Sequence, residues 1–484
     1  MGRLFTNKHV HYNRKTRYVL TWRDSLHMGL AFFPFGGYNG TLWRVGNYCL
    51  QPVAEYNMLF TPELVSLPFD WNTLLFGAGL AGAAGLATVF SHAPQEGHES
   101  PEGIDLEALK NRVAELESIS ARSLEQNEEL AAMYAIWATV LGGEGEELEE
   151  ISALFGKAEA LLKTMLSQGD DTETRRQLAG LSLAWGIALN EYDELELAVD
   201  RYQKAIDVLK PLDDSGDGEA KYETAGIKLN LGIVYRELGE YEKARTTLDE
   251  AFLAYRAVEK IGVIFDTRFY MAKVSIQQGN LLYEMGETLD KVVDAYNRAM
   301  RMYVEVIEDE GRTELERDLA NVLMDRCMVT YEDCMDQKFD SDEARDAVIE
   351  NVLLDISRGL ELLEKQCNEG NEAARFDMFH GLTLHGRVLC TVAKYTEAQA
   401  SLDRVINEFA DLCEGEDDVF LMQMAMAYAD RAVVHLGLGN QDLSRQDCQK
   451  GSELIDKLLQ EADGDDEAIQ ELKQQFQTLV DQLG

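Results

Sequence analysis

The sequence predicts an all-α fold, an α-solenoid of about seven antiparallel helix pairs. Three observations predict it. A helix-pair pattern recurs every 46–48 residues from about residue 120 to residue 460. A unit of that kind cannot bury its apolar face alone and must stack on its neighbours. Small residues recur at one phase, at Ala138, Gly186, Gly232, Gly279, Gly386 and Ala432, with Arg326 in place of a small residue; the steps are 48, 46, 47, 47, 60 and 46. Finally, 484 residues contain only 7 prolines and few β-branched runs, which agrees with mostly helical structure.

Residues 1–70 are a basic, aromatic-rich region of unassigned fold. The first 90 residues carry seven Lys/Arg against four Asp/Glu and 16 of the 42 aromatics, in a chain of net charge −42. The Gly-punctuated stretches Leu30–Tyr38 and Thr41–Leu50 predict short strands and turns. A start codon assigned upstream of the true one gives the same odd leader.

Residues 71–91 enclose an uncharged run, 73–90 (TLLFGAGLAGAAGLATVF), long enough to span a bilayer core as one helix. Trp71 then sits at an interface, and Gly77, Ala81 and Gly85 fall at the four-residue spacing of closely packed membrane helices. Three readings compete. One is a buried Ala/Gly-rich helix of a soluble protein. Another is a dinucleotide fingerprint, Gly77-x-Gly79-x-x-Gly82, which no second strand follows. The third is a signal-peptidase site at Ser91-His92-Ala93. The charge asymmetry puts a spanning chain's residues 1–70 in the cytoplasm and its repeats outside. The seven cysteines point the other way: they form no Cys-x-x-Cys pair and read as reduced cytoplasmic thiols.

Residues 92–118 begin as a polar linker. Leu106, Leu109, Val113 and Leu116 then predict an amphipathic helix packed on the first repeat. Residues 119–464 are the repeats. The clearest copy reads Leu231-Gly232-x-x-Tyr235-x-x-x-Gly239-x-Tyr241-x-x-Ala244-x-x-x-Leu248-x-x-Ala251. Antiparallel helices approach closely where one side offers Gly or Ala and Tyr or Leu fills the adjoining gap. Second helices carry matching small residues at Ala198, Ala205, Ala244, Ala251, Ala299 and Ala398. Within residues 465–484, Asp466–Leu483 predicts a closing helix whose polar outer face caps the stack.

This grammar resembles the tetratricopeptide repeat family. Gly186, Leu189, Ala198, Tyr202 and Ala205 carry the resemblance in the unit before the clearest copy, and Gly386, Tyr395, Ala398 and Leu402 carry it later. It covers about 70% of the chain, with a unit some 12 residues longer than the family's 34. The units around Ala138 and Arg326 match poorly.

The resemblance implies that first helices line a concave groove. It places Asn190, Arg236, Lys273, Asn280, Tyr283, His380 and Arg387 there, among apolar Leu183, Leu229, Ile233 and Ile276. Cations in such a groove suit a peptide carboxylate or acidic side chain, unless they pair with neighbouring Glu. The junctions between units are acidic: 168–173, 213–219, 308–314, 414–418 and 462–467. They form solvated turns or a rim for a basic partner. Asp213-x-Ser215-x-Asp217-Gly218 opens like a calcium loop, but its twelfth position is Thr224 rather than Glu.

The charge of −42 excludes nucleic acid, because no basic face neutralises phosphates. No catalytic signature is present, the eight histidines show no metal spacing, and no cofactor is expected. His380 and His385 lie on different helix faces, and His435 takes the core position of Tyr235. The expected function is a non-catalytic protein–protein interaction scaffold that holds a peptide or partner helix, tethered to a membrane by 73–90. The alternatives are a soluble cytoplasmic adaptor or regulatory subunit and, more distantly, an enzyme with its chemistry in residues 1–70.

Overall fold

The computed structural model describes residues 106–482, apart from 170, 263–265, 337–340, 411–417 and 462–466. The aromatic-rich start, the run 73–90 and the polar linker lie outside the described residues, as do parts of the junctions at 168–173, 414–418 and 462–467. No helix among the described residues is long and apolar enough to cross a membrane.

Sixteen α-helices and no strand are described. α1 (Leu106–Ser118) precedes seven successive pairs. These are α2 (Leu124–Glu144) with α3 (Leu148–Gln168), α4 (Thr172–Glu191) with α5 (Leu195–Asp214), α6 (Gly218–Glu237) with α7 (Tyr241–Ile261), and, consecutive in the chain, α8 (Thr267–Glu284) and α9 (Leu289–Glu310). After a 3-10 turn at Thr313–Leu315 come α10 (Glu316–Asp336) with α11 (Asp342–Asn368), α12 (Glu372–Thr391) with α13 (Tyr395–Glu408), and α14 (Asp418–Gly437) with α15 (Gln441–Glu461). α16 (Glu467–Gln482) ends the described chain. The contacts divide the repeats after Leu281, inside α8, into two compact units. The sequence does not mark this division.

In the amino-terminal unit, α1 buries Leu109, Val113 and Leu116 against α2, as its spacing predicts. Helix starts are fixed by local chemistry. Ser123 and Gln126 form a reciprocal capping box on α2. Asp171 accepts from the Thr174 amide, and Asp217 from those of Glu219 and Ala220. The junction acids at these points are therefore helix caps. The calcium-loop-like start is also a turn between helices: Asp217 caps α6 and Asp213 pairs with Lys221 at 3.5 Å.

The predicted close approaches are present. A Cβ on Gly186 would come within 2.5 Å of Tyr202, and one on Gly232 within 2.7 Å of Leu248. Tyr202, Ala198 and Ala205 are buried in the seam. Tyr222, Tyr255 and Tyr270 join α6, α7 and α8, with Tyr255 and Tyr270 stacked at 5.4 Å.

The carboxy-terminal unit repeats these devices. A Cβ on Gly386 would come within 2.6 Å of Leu402. Ser341 and Asn371 cap α11 and α12. α16 buries Ile469, Leu472, Phe476 and Leu479 against α14 and α15, and Phe476 fills the space a side chain on Gly451 would need. The poorly matching unit has a different solution. Arg326, at the small-residue position, reaches Asn297 of α9 and Asp355 of α11, so a charged bridge spans a gap that glycine closes elsewhere.

The turn inside a pair places one residue in the left-handed region. It is Gly239 or Gly286 in two pairs and Gly439 in the last, but Asp193 (φ 63°) and Ala393 (φ 57°) hold the same place elsewhere.

Candidate partner-binding face

The side of a first helix that faces its own second helix is identified by close contacts. On α10, Cys327 reaches the Val352 carbonyl of α11, and Met324 lies against Gly359 of α11 and Gly381 of α12. Arg317 and Asn321 point toward α12, where both donate to Asp377 Oδ2, at 2.6 and 3.0 Å. Each helical residue turns the chain by about 100°. Asp318, Asp325 and Glu332, seven apart, therefore share a stripe turned away from α11. Asp377, His380, Leu384, Arg387 and Thr391 form the corresponding stripe on α12.

Polar contacts tie these first helices sideways, at separations close to one repeat step. Arg387 donates to Asp430 of α14 at 3.0 and 3.2 Å, and Gln423 of α14 meets His380 at 3.2 Å; both pairs are 43 residues apart. Across the long step, Arg317–Asp377 and Tyr331–Thr391 (2.8 Å) are both 60 residues apart, the same interval as Arg326 to Gly386. The amino-terminal unit does the same. Arg176 binds Asp217, Glu219 and Glu223 at 2.8, 3.1 and 2.8 Å, and the Tyr192 hydroxyl donates to the Glu146 carbonyl at 2.6 Å.

The seven sequence-predicted positions fall in both units. In the amino-terminal unit, Asn190 and Asn280 are buried, and Arg236 is half-buried on α6. Lys273 is buried, with its ammonium 4.9 Å from the centre of the Phe269 ring. In the carboxy-terminal unit, the Tyr283 hydroxyl donates to Glu332 at 2.5 Å, and His380 and Arg387 make the contacts given above. Arg387 pairs with Asp430, and Arg236 and Lys273 are engaged within the chain, which is the alternative the sequence left open for these cations. Half-buried guanidiniums are stable only when paired, and this acid-rich sequence supplies the partners.

Burial sets the protonation of the histidines. It holds the His380 imidazole below its usual range, against the pull of Asp377, and does the same to His385 against Glu397. His385 faces its own second helix, 2.9 Å from Ser401, so the two histidines are on different faces as predicted. His435 is buried 3.5 Å from Asp447, which also accepts two of the Arg431 bonds, at 2.7 and 2.9 Å, in keeping with a core role. Burial pushes the Cys390 thiol up to about 12 and the Cys448 thiol to about 11, so neither is an activated nucleophile.

Sequence reasoning missed the acids of this face: Asp325, Glu332, Asp377 and Asp430. One signal was present. Asp318, Asp325 and Glu332 recur every seven residues, which puts them on one side of a helix.

No family model matches the chain. No curated protein matches it either. Among solved structures it is similar to the apo form of RapI, at 12% identity and a TM-score of 0.46, covering 84% of this chain and 98% of that one. It is also similar to aspartyl phosphate phosphatase F from Bacillus subtilis, at 11% identity and a TM-score of 0.43, covering 89% and 96%. Yeast Tom70 aligns at 14% identity and a TM-score of 0.31, covering 86% and 83%. These scores are all below 0.5, and the fold assignment rests on the helix pairs of the chain itself.

Proposed function

We propose that the chain is a non-catalytic protein–protein interaction scaffold and that its first-helix faces hold a peptide or helix of a partner. One observation supports this above the rest. On the carboxy-terminal unit, α12 presents Asp377, His380, Leu384, Arg387 and Thr391 along one sheltered stripe, flanked by α10 and α14 and braced to both by side-chain bonds. A rigid, mixed polar and apolar strip is the kind of surface that holds an extended or helical segment. The proposed contact positions are His380, Arg387 and Tyr283 on this unit, and Asn190, Arg236, Lys273 and Asn280 on the other.

The test compares two substitutions in the full chain. Met328 lies half-buried beside the stripe, and Leu354 is 69% exposed on α11. Met328→Glu is expected to abolish retention of the partner at unchanged helix content, whereas Leu354→Glu leaves it intact. Equal retention by both variants counts against the proposal. A tether through residues 73–90 belongs to the same reading, supported by their uncharged sequence. It requires the full chain to sediment with membranes and a 95–484 truncation to stay in solution. A full chain recovered in solution without detergent removes the tether.

A further inference from the structure

We propose that the face of α10 and α12 around Asp325 receives a basic side chain of the bound partner, a lysine ammonium or an arginine guanidinium. This rests on the docking reading above and assigns the charge of one contact within it. It also inverts the sign that the sequence suggests for the groove.

The first support is a count of donors and acceptors on the face. Two guanidiniums are present and both are spent inside the chain, Arg317 on Asp377 and Arg387 on Asp430. Glu332 accepts from Tyr283. Asp325 is half-buried, and no hydrogen bond or ion pair to it occurs among the described residues. The charged group that acts on it is another carboxylate, Asp377. Burial and then Asp377 push the Asp325 carboxyl well above the ordinary range, the response of an acid without a counter-ion.

The second support is independent of the acids. Gln423 of α14 is only 2% exposed, and its Nε2 lies 3.2 Å from Nε2 of His380, one turn along α12 from Asp377. Its Oε1 is buried and accepts nothing. A buried carbonyl oxygen without a donor costs free energy until one arrives. An unmatched carboxyl thus stands on α10 and an unmatched buried carbonyl in the side chain that meets His380, while the cations of the face are already paired. An incoming carboxylate would meet acceptors and like charge. An ammonium or guanidinium brings only donors and positive charge.

The experiment pans a displayed random dodecapeptide library on the immobilised full chain. Binding of the selected labelled peptides is then measured by fluorescence anisotropy on the unaltered chain, on Asp325→Asn, and on Glu361→Gln, which removes a carboxyl from the exposed side of α11. The expected result is a Lys or Arg recurring at a fixed peptide position. Asp325→Asn should weaken binding at least tenfold, and Glu361→Gln less than twofold. Replacing the basic residue of the peptide by Gln should cost the same factor on the unaltered chain and nothing further on Asp325→Asn. That peptide substitution tests the contact without altering the protein. Peptides that are sensitive to Met328→Glu but lack a basic residue, or that bind Asp325→Asn equally well, overturn the charge assignment and leave the docking reading standing. Selected peptides indifferent to Met328→Glu overturn both.

Discussion

Single residues show where this chain follows its own repeat and where it departs from it. The turn position held by Gly239, Gly286 and Gly439 is occupied between α12 and α13 by Ala393, with φ at 57°. A left-handed alanine is strained by about 1 kcal/mol, and glycine relieves the strain at some entropic cost to the unfolded chain. Ala393→Gly should therefore raise stability by up to about 1 kcal/mol in urea denaturation. Glu223 is a second residue-scale case. Burial, opposed by Arg176, pushes its carboxyl from an ordinary value near 4.5 up to about 7. The folded chain thus keeps a proton that the unfolded chain has lost. This contribution is complete below pH 4.5 and is lost as pH rises to 7, by up to about 1.4 kcal/mol per pH unit. Urea melts from pH 5 to pH 8 should show that fall in the unaltered chain and a flatter profile in Glu223→Gln. A parallel pair of profiles would contradict the assignment.

At the scale of the element, the helices were largely legible and their partners were not. The spacing of Leu109, Val113 and Leu116 defined α1, and Gly186, Gly232 and Gly386 marked the seams where Tyr202, Leu248 and Leu402 pack. These signals are local, because periodicity and small-residue placement act within one helix pair. Arg326 broke the pattern, since its role depends on Asn297 and Asp355, each 29 residues away. The partner of Arg387 was hidden for the same reason: Asp430 lies 43 residues away, and no pattern within α12 reveals it. The closing helix was predicted as 466–483 and runs Glu467–Gln482. Its Phe476 is 1% exposed over Gly451. Phe476→Ala should cost about 3–5 kcal/mol in the cooperative unfolding of the carboxy-terminal unit. Calorimetry that shows no shift would mean that α16 does not cap the stack.

At the scale of the whole molecule, the net charge of −42 now has a partial anatomy. Some acids cap helices, as Asp171 and Asp217 do, and others cross-link first helices, as Asp377 and Asp430 do. Asp325 does neither, and it lies on the stripe proposed to meet a partner. Both units share one logic, in which second helices close the seams and first helices carry the sideways polar ties. The central claim is that the partner lies on the first-helix side. Site-specific photo-cross-linking tests it most directly. A benzoylphenylalanine is placed at Met328 beside the α10 and α12 stripes, and separately at Leu253 and Leu354, which are 60% and 69% exposed on second helices. A selected peptide should be captured at position 328 and at neither of the others. Capture confined to 253 or 354 would contradict the account.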